Sequence, residues 1–366
     1  MKFKTFGFIG LGLIGGSIAK AIRKISPDAY IIAYGPNPYK FEAGVQEGII
    51  NEISTEINHT FNKCDLLFMC APVSTNNDNL EKLKPFLNPT AIITDVGSVK
   101  TPIQEKIVEL GLERQFIGGH PMAGSEKTGY ANSNPAILEN AYYILAPTDE
   151  VAVEAVEAYQ NLVSDIGSIP LVLNCNEHDY VTAAVSHVPH LIAAALVNLV
   201  HNHDTNECTM KQIAAGGFKD ITRIASSSPA MWEAICLSNP KNIADLLDDY
   251  IADLQDISKA VRNQVDGYTY KLFEESKEYR DSFSPQSRGP IKKIYGCYVD
   301  IPDEAGTIAM IALILGNKKI SIKNIGIVHN REFEEGVLHV EFYDQEALDN
   351  AVTLLRNLQY TVYERN

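Results

Sequence analysis

The chain has 366 residues, which at roughly 150 residues per domain predicts two or three domains. Hydrophobic residues make up 45% and charged residues 21%, ordinary globular values that exclude a disordered or collagen-like chain. The net charge of −15 excludes a basic face for nucleic acid or an anionic membrane. The six cysteines lie far apart without a zinc spacing and predict reduced thiols in a soluble cytoplasmic protein.

The segment from Lys2 to about Asn174 alternates short apolar runs with helical patterns, which is typical of a mainly parallel α/β sheet. The predicted strands cover residues 5–9, 30–34, 65–71, 91–95, 116–118, 143–146 and 169–173. The predicted helices include residues 12–25, 75–87 and 102–110. Thr101-Pro102-Ile103-Gln104 has the sequence of a capping box at the start of the third helix.

Gly10-Leu11-Gly12-Leu13-Ile14-Gly15 directly follows the first predicted strand and opens the first predicted helix. This is the context of a dinucleotide-binding fingerprint, because the tight turn brings backbone amides and the helix N-terminus to a pyrophosphate. The alternative is a glycine-rich turn without a ligand. We predict a Rossmann-type dinucleotide-binding domain over residues 1–174. Its predicted cofactor contacts are Gly10, Gly12, Leu13, Ile14, Gly15, Gly35, Ala71 and Pro72.

Gly35 stands at the end of the second predicted strand, where a site for NAD usually carries Asp or Glu to hold the ribose hydroxyls. No acid is there to repel a 2′-phosphate, and no arginine is there to bind one, although Lys40 is close enough in sequence to reach. We predict NAD as the cofactor, with NADP as the open alternative.

His120 follows the predicted strand 116–118, in a predicted loop. Ligands of doubly wound folds bind outside the carboxyl ends of the strands, and histidine accepts a proton near neutral pH. His120 is therefore the candidate general base, and the alternative is a structural hydrogen bond. In the same loop, Ser125 and Glu126 are candidate substrate contacts, although Glu126 can equally be a solvated acid.

Ser98 lies in Asp95-Val96-Gly97-Ser98-Val99-Lys100, at the end of another predicted strand. The loop glycine permits close approach, so Ser98 can bridge cofactor and substrate. The alternative is a serine that caps the helix that follows.

After Asn174 long helical patterns dominate, such as residues 242–265. Residues 181–200 are the most apolar, yet two histidines and a proline interrupt them, which predicts a buried helix of a soluble protein rather than a membrane span. Several long apolar helices in one block need partners to bury them. We predict an all-α domain over residues 175–280, completed by a second subunit.

Two histidines of this segment, His187 and His190, share one helix face because they lie three residues apart. No carboxylate partner recurs nearby, and hydride transfer needs no metal, so no metal site is predicted.

Further along, Lys219 and Arg223 lie one helical turn apart in a segment that begins at Gly216. Two cations on one face suit a dicarboxylate, which arginine binds with two hydrogen bonds. The alternative is a surface charge pair. Trp232, the single tryptophan, can form one wall of a pocket for a substrate ring or can belong to the core.

Residues 276–290 are polar, with two prolines and mixed charge, and predict a linker. Beyond them, the predicted strands cover residues 294–301, 320–329, 336–343 and 359–363, and the predicted helices cover 306–315 and 345–358. The order β-α-β-β-α-β predicts a ferredoxin-like unit over residues 291–366.

Taken together, the chain resembles the prephenate dehydrogenase family of tyrosine biosynthesis over nearly its whole length. The resemblance rests on residues 10–16, 95–100, 118–129, 186–190, 216–223 and Trp232. It implies NAD-dependent oxidative decarboxylation of prephenate to 4-hydroxyphenylpyruvate by a homodimer. His120 would take the proton of the ring hydroxyl, and Ser98 would position His120, the hydroxyl and the nicotinamide.

The same resemblance implies roles for the remaining candidates. Arg223 would bind a substrate carboxylate with support from Lys219, and Glu126 would gate the entrance against Arg223. His190 and Trp232 would line the side-chain pocket. Arogenate in place of prephenate is the alternative substrate, and a nucleotide-binding amino-acid sensor without turnover is the alternative class of protein.

The C-terminal residues 294–363 resemble an ACT domain, a module that often binds amino acids. Typical stretches are residues 299–306 and 320–325. The resemblance implies feedback inhibition by tyrosine, with Asp303, Gly306 and Asn324 as candidate tyrosine contacts. The alternative is that these residues have ordinary roles in turns and at strand ends. The chain departs from the family pattern at Ala305, where a proline is common.

Overall fold

The computed structural model describes residues 2–124, 127–282, 295–302, 304, 306–328 and 337–364. Its contacts divide the chain into two compact units, residues 1–265 and 266–366. The three domain ranges derived from the sequence stay predictions.

The first unit begins with a parallel sheet whose strands alternate with helices. Its elements are β1 Thr5–Ile9, α1 Leu13–Ile25, β2 Tyr30–Tyr34, α2 Glu42–Gln46, β3 Glu52–Ser54, β4 Leu66–Met69, α3 Val73–Leu83, β5 Ile92–Asp95 and α4 Thr101–Leu110. The five strands have the order β3-β2-β1-β4-β5, and every pair is parallel. Strands β2 and β3 are added on one side of β1, and β4 and β5 on the other. This change of side leaves a crevice at the carboxyl ends of β1 and β4, where such folds bind ligands.

A second, three-stranded sheet extends the first. Its elements are β6 Ile117–Pro121, β7 Tyr142–Pro147, α5 Val153–Asp165 and β8 Ile169–Val172. The strand pair β6–β7 is antiparallel and β7–β8 is parallel. A parallel bridge between Ile93 and Phe116 joins β5 to the start of β6. The carboxyl end of β6 therefore lies at the same edge as those of β1, β4 and β5.

Three local predictions for this part are wrong or incomplete. Strand β3 was not predicted, because its three residues carry almost no apolar pattern. Strand β6 continues to Pro121, so His120 lies in the strand and not in a loop. The predicted capping box does not form, because α4 begins at Thr101 itself and no side chain of Lys100, its N-cap, caps it.

Helices make up the rest of the first unit. They are α6 Cys175–Thr182, a π turn Ala183–His187, α7 Val188–His203, α8 Thr209–Ile213, α9 Gly216–Thr222, α10 Pro229–Ser238 and α11 Pro240–Arg262. The stretch from α6 through α7 is one continuous helix of 29 residues. Its π turn ends at His187, two residues before Pro189, whose ring nitrogen has no proton to donate to the helix.

This continuous helix was predicted to be buried, and in the single chain that prediction is wrong. Val185 is 64% exposed and Leu199 is 54% exposed. Among the described residues it is the helix that is long and apolar enough to cross a membrane, a property that core and interface helices of globular proteins share. Its first turns carry buried His178 and Asp179, which bind the α/β part of the unit.

The second unit contains α12 Tyr268–Asp281 and a small α/β sandwich. The elements of the sandwich are β9 Tyr295–Asp300, α13 Thr307–Asn317, β10 Ile322–Val328, β11 Val337–Phe342, α14 Gln345–Asn357 and β12 Val362–Tyr363. The predicted order β-α-β-β-α-β is confirmed, and the sheet order is β10-β11-β9-β12 with antiparallel pairs. The first six residues of the predicted linker 276–290 belong to α12, and residues 283–290 lie outside the described part.

A buried histidine lies where the long helix meets α10 and α11. The ring of His187 is 1% exposed, its Nδ1 lies 3.5 Å from Asn239 Nδ2, and its edge faces the ring of Trp232. Burial lowers the pKa of His187 to about 4, against a smaller opposing effect of the Asp179 carboxylate. The folded chain therefore keeps this ring neutral at pH values where the unfolded chain protonates it.

We expect the free energy of unfolding to fall as the pH drops from 7 to 5, because the unfolded chain binds a proton at His187 near pH 6.5 and the folded chain binds it only near pH 4. His187→Asn should remove about 1–2 kcal/mol of this loss while keeping an acceptor for Asn239. Urea unfolding at both pH values, followed by circular dichroism and Trp232 fluorescence, measures it. The exposed His203→Asn is the control, and an unchanged pH dependence in His187→Asn would contradict the expectation.

Candidate active site

A cavity of about 460 Å³ opens at the carboxyl ends of β1, β2 and β4. Gly10 lies at its base with a φ of +85°, which favours glycine, and an added Cβ would lie 2.9 Å from the backbone nitrogen of Ala71. Residue 10 must therefore be glycine for β1 and β4 to end this close together.

The N-terminus of α1 lies at this cavity. Gly12 is its N-cap, and no side chain caps the helix. A Cβ added to Gly12 would meet nothing within 4 Å, so space for a ligand reaches the backbone there. Gly15 lies one turn on, and its missing side chain lets α1 pack against Cys70, 3.0 Å from an added Cβ. A bare helix N-terminus beside an open cavity suits a pyrophosphate, so the residues present fit a dinucleotide.

The structure brings together most of the predicted cofactor contacts. Gly10, Gly12, Gly35, Ala71 and Pro72 line the cavity. The other three, Leu13, Ile14 and Gly15, form the first turn of α1 behind it.

His120 lies at the carboxyl end of β6 and is almost fully buried, with 8% of its surface exposed. Its Nδ1 lies 2.8 Å from Nε2 of His178, and Nδ1 of His178 lies 2.7 Å from Oδ1 of Asp179. Three ionisable side chains thus form one hydrogen-bonded series from the α/β part into the first helix of the helical part. We name His120, His178 and Asp179 the His–His–Asp series.

Asp179 ends the series and also caps α4. Its Oδ1 accepts from the backbone N–H of Lys100 at 2.7 Å, and its Oδ2 accepts from the N–H and the hydroxyl of Thr101 at 2.8 and 2.5 Å. Burial raises the pKa of Asp179, but hydrogen bonds from His178, Thr101 and the two backbone amides outweigh it and lower the pKa below its usual value. The carboxylate is ionised, and it replaces the predicted Thr101 cap because a full negative charge binds the helix N-terminus more strongly.

The ionised carboxylate determines where the protons of the series lie. His178 donates its Nδ1–H to Asp179, so its Nε2 in the neutral ring is an acceptor. His120 then donates its Nδ1–H to that nitrogen, which leaves the lone pair of His120 Nε2 without a hydrogen-bond partner among the described residues. Burial, with smaller contributions from Lys100, His178 and His187, lowers the pKa of His120 well below its usual value. The ring is therefore neutral and able to accept a proton.

A buried ion pair lies beneath His120. Lys100 and Asp95 form it with side chains that are 1% and 2% exposed. Asp95 also accepts from the N–H of Gly97 at 2.9 Å and from the N–H of Gly119 at 3.0 Å. These contacts hold β5, the loop after it and β6 together, and half-buried Ser98 lies in that loop.

His190 and Trp232 form a second part of the site. Their rings stack, with centroids 3.8 Å apart and an angle of 26° between the ring planes. His187 and the same indole meet edge to face, with centroids 6.1 Å apart. His190 donates from Nδ1 to the carbonyl of Ser186 at 2.8 Å, so its Nε2 is free to accept. The indole Nε1 of Trp232 is buried without a hydrogen-bond partner among the described residues. The predicted shared face of His187 and His190 is confirmed.

Lys219 and Arg223, the two cations predicted to bind a dicarboxylate, lie on an exposed segment. Gly216 and Lys219 belong to α9, and Arg223 begins the short 3₁₀ turn Arg223–Ser226, which packs against α7. Within the described part of the chain, neither cation is in a salt bridge with the Asp and Glu side chains, so both charges are available to an anion from outside. Ser125, Glu126 and Asp303 lie outside the described residues.

The sequence reasoning missed His178 and Asp179. The signal was present, because two adjacent ionisable residues stand at the start of the most apolar helix, after Asn174. Both residues lie in the first helix after Asn174, the helix N-cap, where the sequence also predicts a domain boundary. In the described ranges, no three His, Cys, Asp or Glu side chains form a cluster suited to a metal ion.

Comparisons with known proteins show the family of the chain. Residues 18–170 match the family model "Prephenate dehydrogenase, nucleotide-binding domain", and residues 174–275 match "Prephenate dehydrogenase, dimerization domain". The prephenate dehydrogenase of Bacillus subtilis is 38% identical over 93% of this chain and 93% of its own length.

Two solved structures have the same fold. The Aquifex aeolicus prephenate dehydrogenase in complex with hydroxyphenyl propionate and NAD+ is 31% identical, with a TM-score of 0.72 over 77% of this chain and 99% of that one. The Synechocystis arogenate dehydrogenase is 28% identical, with a TM-score of 0.70 over 76% and 99%. The two family models and the 38% identity to the Bacillus subtilis enzyme over 93% of the chain therefore show that this chain belongs to the prephenate dehydrogenase family.

Proposed function

We propose that the chain oxidises and decarboxylates prephenate to 4-hydroxyphenylpyruvate with NAD as the oxidant. The observation that carries the proposal is the Nε2 lone pair of buried, neutral His120 at the sheet edge that also carries the dinucleotide cavity. NAD follows from the fit of that cavity and is supported by the family's nucleotide-binding model and the NAD+ in the Aquifex aeolicus relative.

In the proposed reaction His120 accepts the proton of the ring hydroxyl at Nε2. Gly10, Gly12 and the N-terminus of α1 would hold NAD, which would supply an acceptor for the hydride of the carbon that carries this hydroxyl. The ring carboxylate then leaves as carbon dioxide, its bonding electron pair makes the ring aromatic, and the ring oxygen takes the proton back from His120. Because the proton on His120 adds a positive charge in a buried site, the carboxylate of Asp179 stabilises it through His178.

The other candidates bind the substrate in this proposal. Arg223 and Lys219, exposed and without salt bridges among the described residues, bind its carboxylates. Stacked His190 and Trp232 line the pocket for the side chain that carries the keto group. Ser98 contacts the hydroxyl and the nicotinamide from the loop held by the Lys100–Asp95 pair. Ser125, Glu126 and Gly216 keep their predicted roles in substrate contact.

Absorbance of the reduced nicotinamide tests the reaction directly. Purified protein mixed with prephenate and NAD should produce NADH and 4-hydroxyphenylpyruvate in equal amounts. Arogenate, which carries an amine in place of the keto group, is the second substrate to test, because a solved relative is an arogenate dehydrogenase. A higher kcat/KM for arogenate would reassign the substrate, and no turnover of either would favour a nucleotide-binding sensor.

We expect His120→Asn to lower kcat by about 10²–10⁴, the usual contribution of a general base. The exposed His59→Asn changes the same residue type outside the site and should keep wild-type kcat. Initial rates at saturating prephenate and NAD measure both variants. Wild-type turnover in His120→Asn would remove this residue from the reaction.

We expect Asp179→Asn to lower kcat by about 10² or more, because an amide NH₂ facing His178 reverses the proton positions along the series and puts the His120 proton on Nε2. The pH profile of kcat should change as well, since the charge that stabilises protonated His120 is gone.

Thr101→Val is the matched control for this variant. It removes one hydrogen bond to Asp179 at the α4 N-terminus but leaves the His–His–Asp series intact. It should lower stability by about 1 kcal/mol with nearly unchanged kcat. Equal losses of kcat in the two variants would mean that Asp179 acts only as a cap.

We further propose that the protein is a cytoplasmic homodimer. The family model over residues 174–275 is a dimerization domain, and the exposed apolar side chains of the long helix, such as Val185 and Leu199, need a partner surface. Pairing through this face also accounts for the apolar helix without a membrane.

We also propose that the β-α-β-β-α-β sandwich of the second unit is an ACT domain that binds tyrosine and inhibits the enzyme. The support is its element order and the position of two candidates. Gly306 has a φ of +98° and precedes α13, and Asn324 lies on β10.

We expect deletion of residues 291–366 to leave prephenate turnover intact and to abolish inhibition by tyrosine. Asn324→Ala in the full chain should weaken the inhibition without changing kcat. Tyrosine titrations at a fixed prephenate concentration measure both. If the shortened chain were inhibited with unchanged affinity, tyrosine would act in the active site as a product analogue.

A further inference from the structure

A short segment beyond β6 reaches the wall of the dinucleotide cavity. Gly129 lines the cavity with a φ of +84°, a backbone conformation that favours glycine. The 3₁₀ turn Tyr130–Asn132 follows it directly, and Tyr130 is 3% exposed. Tyr130 itself is not among the described residues that line the cavity. The position of Gly129 in the wall therefore depends on the contacts that hold its neighbour.

The ring of Tyr130 packs against both α1 and α2. A Cβ added to Gly16 of α1 would lie 2.9 Å from Cδ2 of this ring. A Cβ added to Gly44 of α2 would lie 3.0 Å from its Cζ. Both distances are shorter than ordinary packing allows, so the two helices reach the ring because glycine stands at both positions.

The hydroxyl of Tyr130 joins the same two helices. It donates to Oε2 of Glu47, the C-cap of α2, at 2.8 Å. Nζ of Lys20 on α1 lies 3.1 Å from that oxygen and 4.7 Å from the centre of the Tyr130 ring. Burial and the hydrogen bond to Glu47 raise the pKa of Tyr130, so its hydroxyl stays a donor. We name Lys20, Glu47 and Tyr130 the Tyr130 cluster.

The Tyr130 cluster joins three parts of the cavity wall that are distant in the chain. The first part is Gly129. The second is the N-terminus of α1, to which the same segment is also bound by the N–H of Asn134, donated to Oγ of Ser17 at 2.9 Å. The third is the segment 36–41, which borders the cavity and leads into α2. A ligand that spans the cavity meets all three parts.

We propose that Tyr130 is a positioning residue for the dinucleotide: through Glu47 and Lys20 it holds the three parts of the cavity wall at the spacing that the cofactor needs. The inference rests on the proposed function only in taking the cavity as the dinucleotide site. A wall that is already arranged leaves less to be ordered when the cofactor binds. The Tyr130 cluster therefore lowers Kd for the cofactor without touching the reacting atoms.

The same unit contains a matched cluster away from the cavity. The hydroxyl of Tyr30 donates to Oε2 of Glu52 at 3.0 Å, and Nζ of Lys63 lies 2.7 Å from that oxygen. The same ammonium group lies 4.8 Å from the centre of the Tyr30 ring. Tyr30 begins β2, and the cavity lies at the other end of this strand. Loss of the Tyr30 hydroxyl therefore removes the same kind of hydrogen bond without affecting the cavity wall.

Binding of NADH to the full-length protein, followed by nicotinamide fluorescence without substrate, tests the inference. Tyr130→Phe should raise Kd by about three- to tenfold, the contribution of one hydrogen bond, and Tyr30→Phe by less than about twofold. Glu47→Gln keeps an acceptor for the hydroxyl and should stay within about twofold of wild type, whereas Glu47→Ala should match Tyr130→Phe. Circular dichroism at the titration temperature confirms that each variant is folded.

A double-mutant cycle separates the hydrogen bond from two unrelated losses. Tyr130→Phe and Glu47→Ala remove the same contact, so the double variant should bind NADH about as tightly as either single variant. Independent effects would multiply to about 10- to 100-fold and would contradict the inference. If Tyr130→Phe fails to fold, Glu47→Ala provides the test alone, because the Glu47 side chain is 45% exposed.

Steady-state kinetics provides a second readout. Tyr130→Phe should raise KM for NAD by a similar factor and keep kcat at saturating NAD and prephenate within about twofold, because the lost hydrogen bond supports binding and not chemistry. A purely structural role would reduce the amount of active enzyme, which lowers kcat and leaves KM unchanged.

An unchanged Kd in folded Tyr130→Phe, an equal rise in Tyr30→Phe, or a fall in kcat with unchanged KM would each overturn the inference. No binding of NADH to the wild type would overturn it too and would also reject the dinucleotide site of the proposed function. Binding of NADH that depends on Tyr130, without prephenate turnover, would support the inference while refuting the proposed reaction.

Discussion

The carboxylate of Asp179 is the contact on which the rest of the site depends. It accepts hydrogen bonds from the amides of Lys100 and Thr101, from the Thr101 hydroxyl and from His178. One charge therefore joins the first helix of the helical part to the N-terminus of α4. The same charge determines the proton positions on both histidines of the His–His–Asp series. The position and the protonation of His120 therefore have a single cause.

On the sheet side, the buried Lys100–Asp95 pair holds the strand that carries His120. It holds β5 and β6 together through the amides of Gly97 and Gly119, directly before His120 in the chain. A buried ion pair contributes little net stability, because desolvation offsets the attraction of the two charges. Its role here is geometric, because Asp95 and Lys100 join the two ends of the loop that carries Ser98. The positive charge of Lys100 also helps to keep His120 neutral.

Local sequence predicted the regular elements well and the contacts between distant segments poorly. Strands β1 and β2 were predicted to the residue, because an apolar run between turn residues is a local signal. The glycine fingerprint located the cavity for the same reason. The cap of α4 was mispredicted, because Thr101 satisfies the local rule while the stronger cap, Asp179, comes from 78 residues away. The partnership of His120 with His178 across 58 residues has no local signal at all.

The π turn Ala183–His187 separates two parts of one helix whose rotations are determined by different partners. Before the π turn, Asp179 of α6 binds the N-terminus of α4 and so determines the rotation of α6. After it, the rotation of α7 stacks His190 on Trp232. Each residue turns an α-helix by about 100°, and a π turn holds one residue more than an α turn. The extra residue thus works as an angular spacer. Removal of one residue here would turn α7 by about 100° relative to α6, which would separate His190 from Trp232 while the His–His–Asp series stays in place.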